Sequence, residues 1–179
     1  MDSQLASLRG AIESAIRGMS SEELSRHAQG KWSAAEVLEH LYLTYTGTVK
    51  GFERCLEAER PLASSPSLWQ RAATMLVVGL GYLPGGRQAP ANTRPKGIPA
   101  QKVVSDIFFE IDLMDELIGK CEARYGSRTR LLDHPVLGPL TATQWRKFHC
   151  VHGQHHVKQI QRLRVEQRGA PGSGRGFGR

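Results

Sequence analysis

Apolar residues recur along this chain at spacings of three and four, the mark of helices that bury one face. Leu5, Leu8, Ile12 and Ile16 form such a stripe over residues 3–18. Val37, Leu41, Tyr45, Val49, Phe52 and Leu56 repeat it over 34–58, and Val104, Ile107, Phe108, Ile111, Met114 and Leu117 over 100–124. A more apolar segment, 67–82, carries Leu68, Ala72, Met75, Leu76 and Leu80, and residues 142–167 form the last long helix. Sustained period-two alternation and Asn-Gly turns are both missing, so strands are not expected.

The helix starts are marked by side chains able to satisfy the free amides of a first turn. Ser33-Ala34-Ala35-Glu36 is a capping box, with Trp32 and Val37 placed as a hydrophobic staple. Thr141-Ala142-Thr143-Gln144 is a second box, stapled by Leu140 and Trp145. Pro66 and Pro99 suit first-turn positions, and breaks fall at Arg60-Pro61, Pro84-Gly85-Gly86 and Gly126. This pattern predicts an all-α fold: a four-helix bundle with a short extra helix, a long loop over 84–98 and a disordered tail. The bundle domain would span 1–168. Residues 169–179 are too rich in Gly to build a core.

Composition narrows the class. The 179 residues are 40% hydrophobic, enough for one domain with its own core. No apolar run nears the ~20 residues of a membrane helix, and Met1-Asp2-Ser3-Gln4 lacks the basic start of a signal peptide. The three cysteines, Cys55, Cys121 and Cys150, are widely spaced and odd in number, which fits a reducing cytoplasm better than a disulfide framework. The formal charge of +7 raises nucleic acid as a partner. The excess, however, lies in the 84–98 loop, at Lys102 and in the tail, outside the helical faces, so neither nucleic acid nor membrane is expected to bind.

The last helix carries the unusual chemistry. At about 100° per residue, Trp145, His149, His152, His156, Gln159 and Leu163 share one narrow face. Trp145 and Leu163 are ordinary core residues. Between them, three histidines and a glutamine stand where Leu or Ile belongs. Burying unpartnered imidazoles costs roughly a few kcal/mol each, and a buried metal or a polar cavity removes that conflict. His152 and His156 lie one turn apart and can face one ion. Such a pair also occurs on helix surfaces, so a third ligand must come from another element. His40, on the edge of the apolar face of the Ser33 helix, is the candidate. His149, Gln159 and Trp145 are candidates for the pocket wall or for partners of the ligands. His155 and His27 are read as surface residues, and His134, in a rigid loop before the last helix, as packing. A zincin would need Glu at Gly153, and a di-iron bundle needs carboxylates that the last helix lacks before Glu166.

Lys31-Trp32-Ser33-Ala34-Ala35-Glu36-Val37-Leu38-Glu39-His40-Leu41 resembles the opening of the second bundle helix in the DinB-like superfamily. His152-Gly153-Gln154-His155-His156-Val157-Lys158-Gln159 resembles its last-helix signature, His-x-x-His-His-x-x-Gln. The stretch from His134-Pro135 to Leu140, followed by Gln144-Trp145, is similar to one branch of that superfamily known only as a domain of unknown function. The resemblance covers about residues 1–165. It implies a four-helix bundle with a divalent metal on His40, His152 and His156. It also implies a small-molecule substrate, with thiol-dependent S-transfer or hydrolysis as the reaction and a low-molecular-weight thiol as cosubstrate. Zinc is the first choice of metal, with nickel, manganese or iron as alternatives, because three-His sites select weakly. A non-catalytic metal- or small-molecule-binding bundle is the alternative, and a homodimer is the candidate assembly.

Overall fold

The computed structural model describes residues 1–27, 30–83 and 88–169, with side chains through Gln167. In order, its elements are α1 (Ser3–Ile16), α2 (Ser21–Ser25), α3 (Ala34–Glu57), α4 (Leu68–Thr74) continued by a π-helical turn (Met75–Gly79), and a 3-10 turn (Ala91–Thr93). They are followed by α5 (Ala100–Tyr125), β1 (Arg130–His134), β2 (Gly138–Thr141) and α6 (Ala142–Gly169). The chain is thus mostly helical, with one small two-stranded sheet.

Capping fixes where the long helices begin. The Ser33 hydroxyl accepts from the Glu36 amide at 3.2 Å, and the Glu36 carboxylate accepts from the Ser33 amide at 2.7 Å. Thr141 and Gln144 make the same exchange at 3.3 and 3.0 Å. Each pair satisfies two amides that the first turn leaves without intrahelical partners. The apolar stripes then meet: α3 lies along α5, α1 along α6, and α6 also touches α3 and α5. Leu5, Leu8, Ile12, Val37, Leu41, Phe52, Ile107, Ile111 and Met114 are fully excluded from solvent at this junction. One polar network ties three helices together. Arg146 of α6 donates to Asp115 at 2.9 Å and to Glu122 at 2.6 Å, both on α5, and Asp115 also accepts from the Asp2 amide before α1.

The expectation of an all-helical chain needs correcting at one place. Residues 130–141 form an antiparallel hairpin that pairs Leu132 with Leu140, Asp133 with Pro139 and His134 with Gly138. A register irregularity between Arg130 and Leu132 buries both Leu131 and Leu132. Alternation is lost there, and with it the sequence sign of a strand. The turn is held by the His134 ring, whose Nδ1 accepts from the Val136 and Leu137 amides at 3.1 Å each, and by Gly138 at φ +71°. A five-residue helix, α2, capped by Ser20 and Glu23, adds to the helices read from the apolar stripes.

The 67–82 segment also differs from a continuous helix. Ser67 caps α4, so Pro66 stands outside the first turn, and Pro99 is the cap residue of α5. At Met75 the helix widens into the π turn. Only Val77 and Val78 of this segment are buried, while Leu68, Trp69, Met75 and Leu80 are mostly exposed. The tail expected over 169–179 lies outside the described residues, except Gly169, which ends α6. Of the 84–98 loop, residues 88–98 are described, and they contain the Ala91–Thr93 turn.

Candidate metal centre

His40 sits in the second turn of α3, fixed by the Ser33 cap, and His152 and His156 sit one turn apart on the facing side of α6. Their ring nitrogens converge. The Nε2 atoms of His40 and His152 are 3.2 Å apart, as are those of His152 and His156. All three ligand atoms lie within 4.8 Å of one another. Two nitrogens on one tetrahedral ion, each about 2.0–2.1 Å from it, stand roughly 3.3–3.4 Å apart, so the two 3.2 Å separations made by His152 suit a shared cation.

The opposite ring nitrogens fix two of the tautomers. His40 Nδ1 meets the Thr93 carbonyl at 2.8 Å; a carbonyl can only accept, so Nδ1 carries the proton. His156 Nδ1 donates to Gln159 Oε1 at 3.0 Å. Both Nε2 atoms therefore present lone pairs toward His152 Nε2, which has at most one proton to share. One of the two 3.2 Å contacts is left as lone pair against lone pair unless a cation stands among them. Protonation is a poor remedy. Burial pushes the His152 pKa well below its ordinary value, and the neighbouring His156 and His40 push it the same way. Burial lowers His156 to about 4. It also lowers His40, against the partial opposition of the Thr93 carbonyl. Three neutral imidazoles with converging lone pairs are the donor set of a divalent transition metal.

The cluster opens onto a cavity of about 540 Å³. Its floor is α3, its walls are α4 with the π turn, the 88–93 segment and the β-hairpin, and Trp145, Phe148 and the three histidines close it.

A family model for a protein of unknown function, DUF1569, matches residues 2–163. The chain belongs to that family. No curated protein and no solved structure matches it.

Within this DUF1569 chain the remaining sequence candidates separate clearly. Gln159 bonds a member of the cluster, and Trp145 lines the cavity. His149 does neither. It is fully buried, stacked on Trp145 at 5.7 Å between ring centres and edge-on to Tyr45. One of its nitrogens meets the Thr48 hydroxyl at 3.1 Å, and the other has no partner among the described residues. Burial lowers its pKa to about 3. His155 is exposed and lines the cavity beside His156, its ring centre 5.2 Å away. His27 is a surface residue 3.4 Å from Glu36. His134, besides holding its turn, packs on Phe148 and lines the cavity.

Two residues that support the cluster escaped the sequence reading. Glu39, only 2% exposed, accepts from the Lys96 and Gly97 amides at 2.5 and 3.2 Å. It thereby anchors the loop whose Thr93 carbonyl orients His40. A carboxylate next to a candidate ligand reads as an ordinary solvated helix residue, and nothing local distinguishes it. Thr93 acts through its backbone, which no side-chain pattern reports.

Proposed function

We propose that this DUF1569 chain is a DinB-like four-helix bundle, one domain over residues 1–168, that holds a divalent metal on His40, His152 and His156 and acts on a small molecule as a metal-dependent S-transferase or hydrolase. The observation that carries this reading is the clash of lone pairs. His40 and His156 both have their protons on Nδ1, and their Nε2 atoms meet a third imidazole at 3.2 Å inside the protein. A bound divalent ion would supply Lewis acidity, lowering the pKa of a water or thiol so that a nucleophile exists near neutral pH.

The protein's own groups prepare that site. The Thr93 carbonyl and Gln159 Oε1 hold two rings in the ligating tautomer and orientation, and such partners raise ligand basicity. Trp32 packs on His40 and Phe148 on His152, and with Trp145 farther along the cavity they would restrict water around a bound substrate. Three protein ligands leave coordination for an outside group, the arrangement of catalytic rather than structural zinc. All three histidines line the cavity, so an ion held by them would be within reach of a molecule lying there.

The test is elemental analysis of protein purified without a polyhistidine tag. About one divalent ion per chain is expected, lost in His40→Ala and in His156→Ala and kept in His27→Ala. Equal occupancy in all three variants, or none in the parent after loading with Zn²⁺ or Co²⁺, overturns the assignment. A metal that binds stoichiometrically in a protein that turns over no electrophile with thiol or water favours the non-catalytic binding bundle.

A further inference from the structure

The cavity is elongated along α3, and the character of its floor bears on what it holds. His40, Thr44, Gly47, Thr48, Gly51 and Arg54 line it from one face of that helix. From His40 to Arg54 the axis runs about 21 Å at 1.5 Å per residue. Midway stands Gly47. Glycine in a helix interior costs about 1 kcal/mol relative to alanine, and the usual reason for accepting that cost is a close neighbour. Here a methyl group built on Gly47 would meet nothing within 4 Å. No turn, positive φ or packing contact requires the glycine. What its lack of a side chain preserves is the free space of the cavity.

The walls opposite are apolar. Trp69, Leu76 and Val77 come from α4 and the π turn, and Leu132, Val136 and Leu137 from the hairpin. Their charge is one-sided as well. Between Arg60 and Asp106 the sequence contains no acidic residue, and this stretch supplies the lining residues from Trp69 to Leu83 and from Gln88 to Thr93. Asp133 is the sole carboxylate among the described lining residues, and it is occupied by the Ser64 amide at 3.0 and 3.2 Å. Arg54, at the far end, has no carboxylate within 4.0 Å among the described residues.

We infer that the cavity binds a linear amphiphile: an alkyl or acyl chain laid over Gly47 and ending against Leu132, which covers Gly51, with an anionic metal-ligating head at the three histidines. The placement of the head rests on the metal reading above; the placement of the chain rests on the cavity itself. Its volume, about 540 Å³, is that of a site for one small molecule. A straight chain uses the open floor from His40 to Gly47, and an anionic head meets no free carboxylate among the described lining residues.

A series of straight-chain hydroxamates, from acetohydroxamate upward, tests this on the full-length protein. Binding to the Co²⁺ form is read from the cobalt absorption spectrum and binding to the metal-free form from tryptophan fluorescence. Each added methylene should tighten binding about fourfold, the equivalent of ~0.8 kcal/mol, until the chain fills the cavity. Gly47→Phe should end that increase at a shorter chain while leaving Co²⁺ stoichiometry and acetohydroxamate affinity unchanged. Gly47→Ala, which meets no neighbour, should keep most of the increase and serves as the folded control. Chain-length dependence equal in both forms, with a cobalt spectrum that no hydroxamate perturbs, supports the chain site and overturns the placement of the head on the metal. Affinity that is flat with chain length in both forms, or an increase indifferent to Gly47→Phe, overturns the inference whatever the metal does.

Discussion

Gly153 lies between His152 and the rest of the cluster's helix, and it is where α6 comes closest to α1. A Cβ added there would sit 2.4 Å from Leu8 Cδ1, 2.8 Å from Cδ2 and 3.1 Å from Cγ. Carbon atoms in contact stand about 3.5–4.0 Å apart. Leu8 is fully buried, so a new rotamer would carry its methyl groups into other core side chains. Gly153→Ala must therefore push α1 away from α6. Two effects then compete. Helix propensity favours alanine by about 1 kcal/mol, and overpacking a well-filled core costs about 1–3 kcal/mol. The Cγ contact puts the cost in the upper part of that range, so a net loss of about 1–2 kcal/mol is expected in urea unfolding. Leu8→Ala alone should cost about 2–5 kcal/mol through the cavity it leaves. Combined with Gly153→Ala it should cost less than the sum of the two by about 1–3 kcal/mol, because the new methyl occupies the vacated space. The shift of α6 also displaces His152 from His40, so Co²⁺ affinity of Gly153→Ala should fall. If Gly153→Ala is instead more stable than the parent by the propensity term, with additive behaviour in the double variant, the close approach of the two helices is refuted.

Two further outcomes follow from the surroundings of the cluster. Glu39→Ala removes a charged acceptor shared by two backbone amides, each such bond being worth about 1.5–3 kcal/mol; residues 88–98 should become sensitive to limited proteolysis and metal affinity should drop, whereas unchanged cleavage would show that Glu39 does not anchor the loop. His149 is neutral in the fold down to about 3 but takes up a proton near its ordinary 6.5 when unfolded, so the unfolded state binds the extra proton between those values and stability falls as pH falls. That loss begins near pH 6.5 and approaches about 5 kcal/mol near pH 3, at 1.36 kcal/mol per pH unit; His149→Phe should be less acid-sensitive than the parent in urea midpoints measured between pH 7 and 5, and parallel curves would count against a buried neutral ring.

What the sequence made readable was whatever depends on one element at a time. The stripes of α1, α3 and α5 and the caps of Ser33 and Thr141 are statements about neighbours within a few residues. The face shared by His149, His152 and His156 is another, since helical geometry alone places them. Even there, the face did not separate roles. His152 and His156 meet His40, while His149, one turn earlier, lies beneath Trp145 and bonds Thr48. The division depends on where α3 crosses α6, which no periodicity encodes. The hairpin was hidden because its irregular register buries two consecutive leucines, and the outward face of α4 because its apolar residues look like core. Glu39 looked solvated because its partners are backbone amides of a segment 57 and 58 positions away.

The same distinction explains how the cluster persists in a core. Side chains alone would make it a defect: three imidazoles, two buried and one half-buried, held neutral, with one contact between lone pairs. Each compensating feature comes from a different part of the chain. The loop supplies a carbonyl to His40, Gln159 supplies an amide oxygen to His156, and Glu39 holds the loop in place. These groups orient rings but do not add the missing proton or charge between the Nε2 atoms. A histidine triad kept only for packing would gain from replacing the central ring with leucine, since burying an apolar side chain carries no such penalty. A triad kept for a cation needs the central ring and needs its partners rigid. The supporting bonds, directed at the outer nitrogens and leaving the inner ones bare, match the second requirement and work against the first.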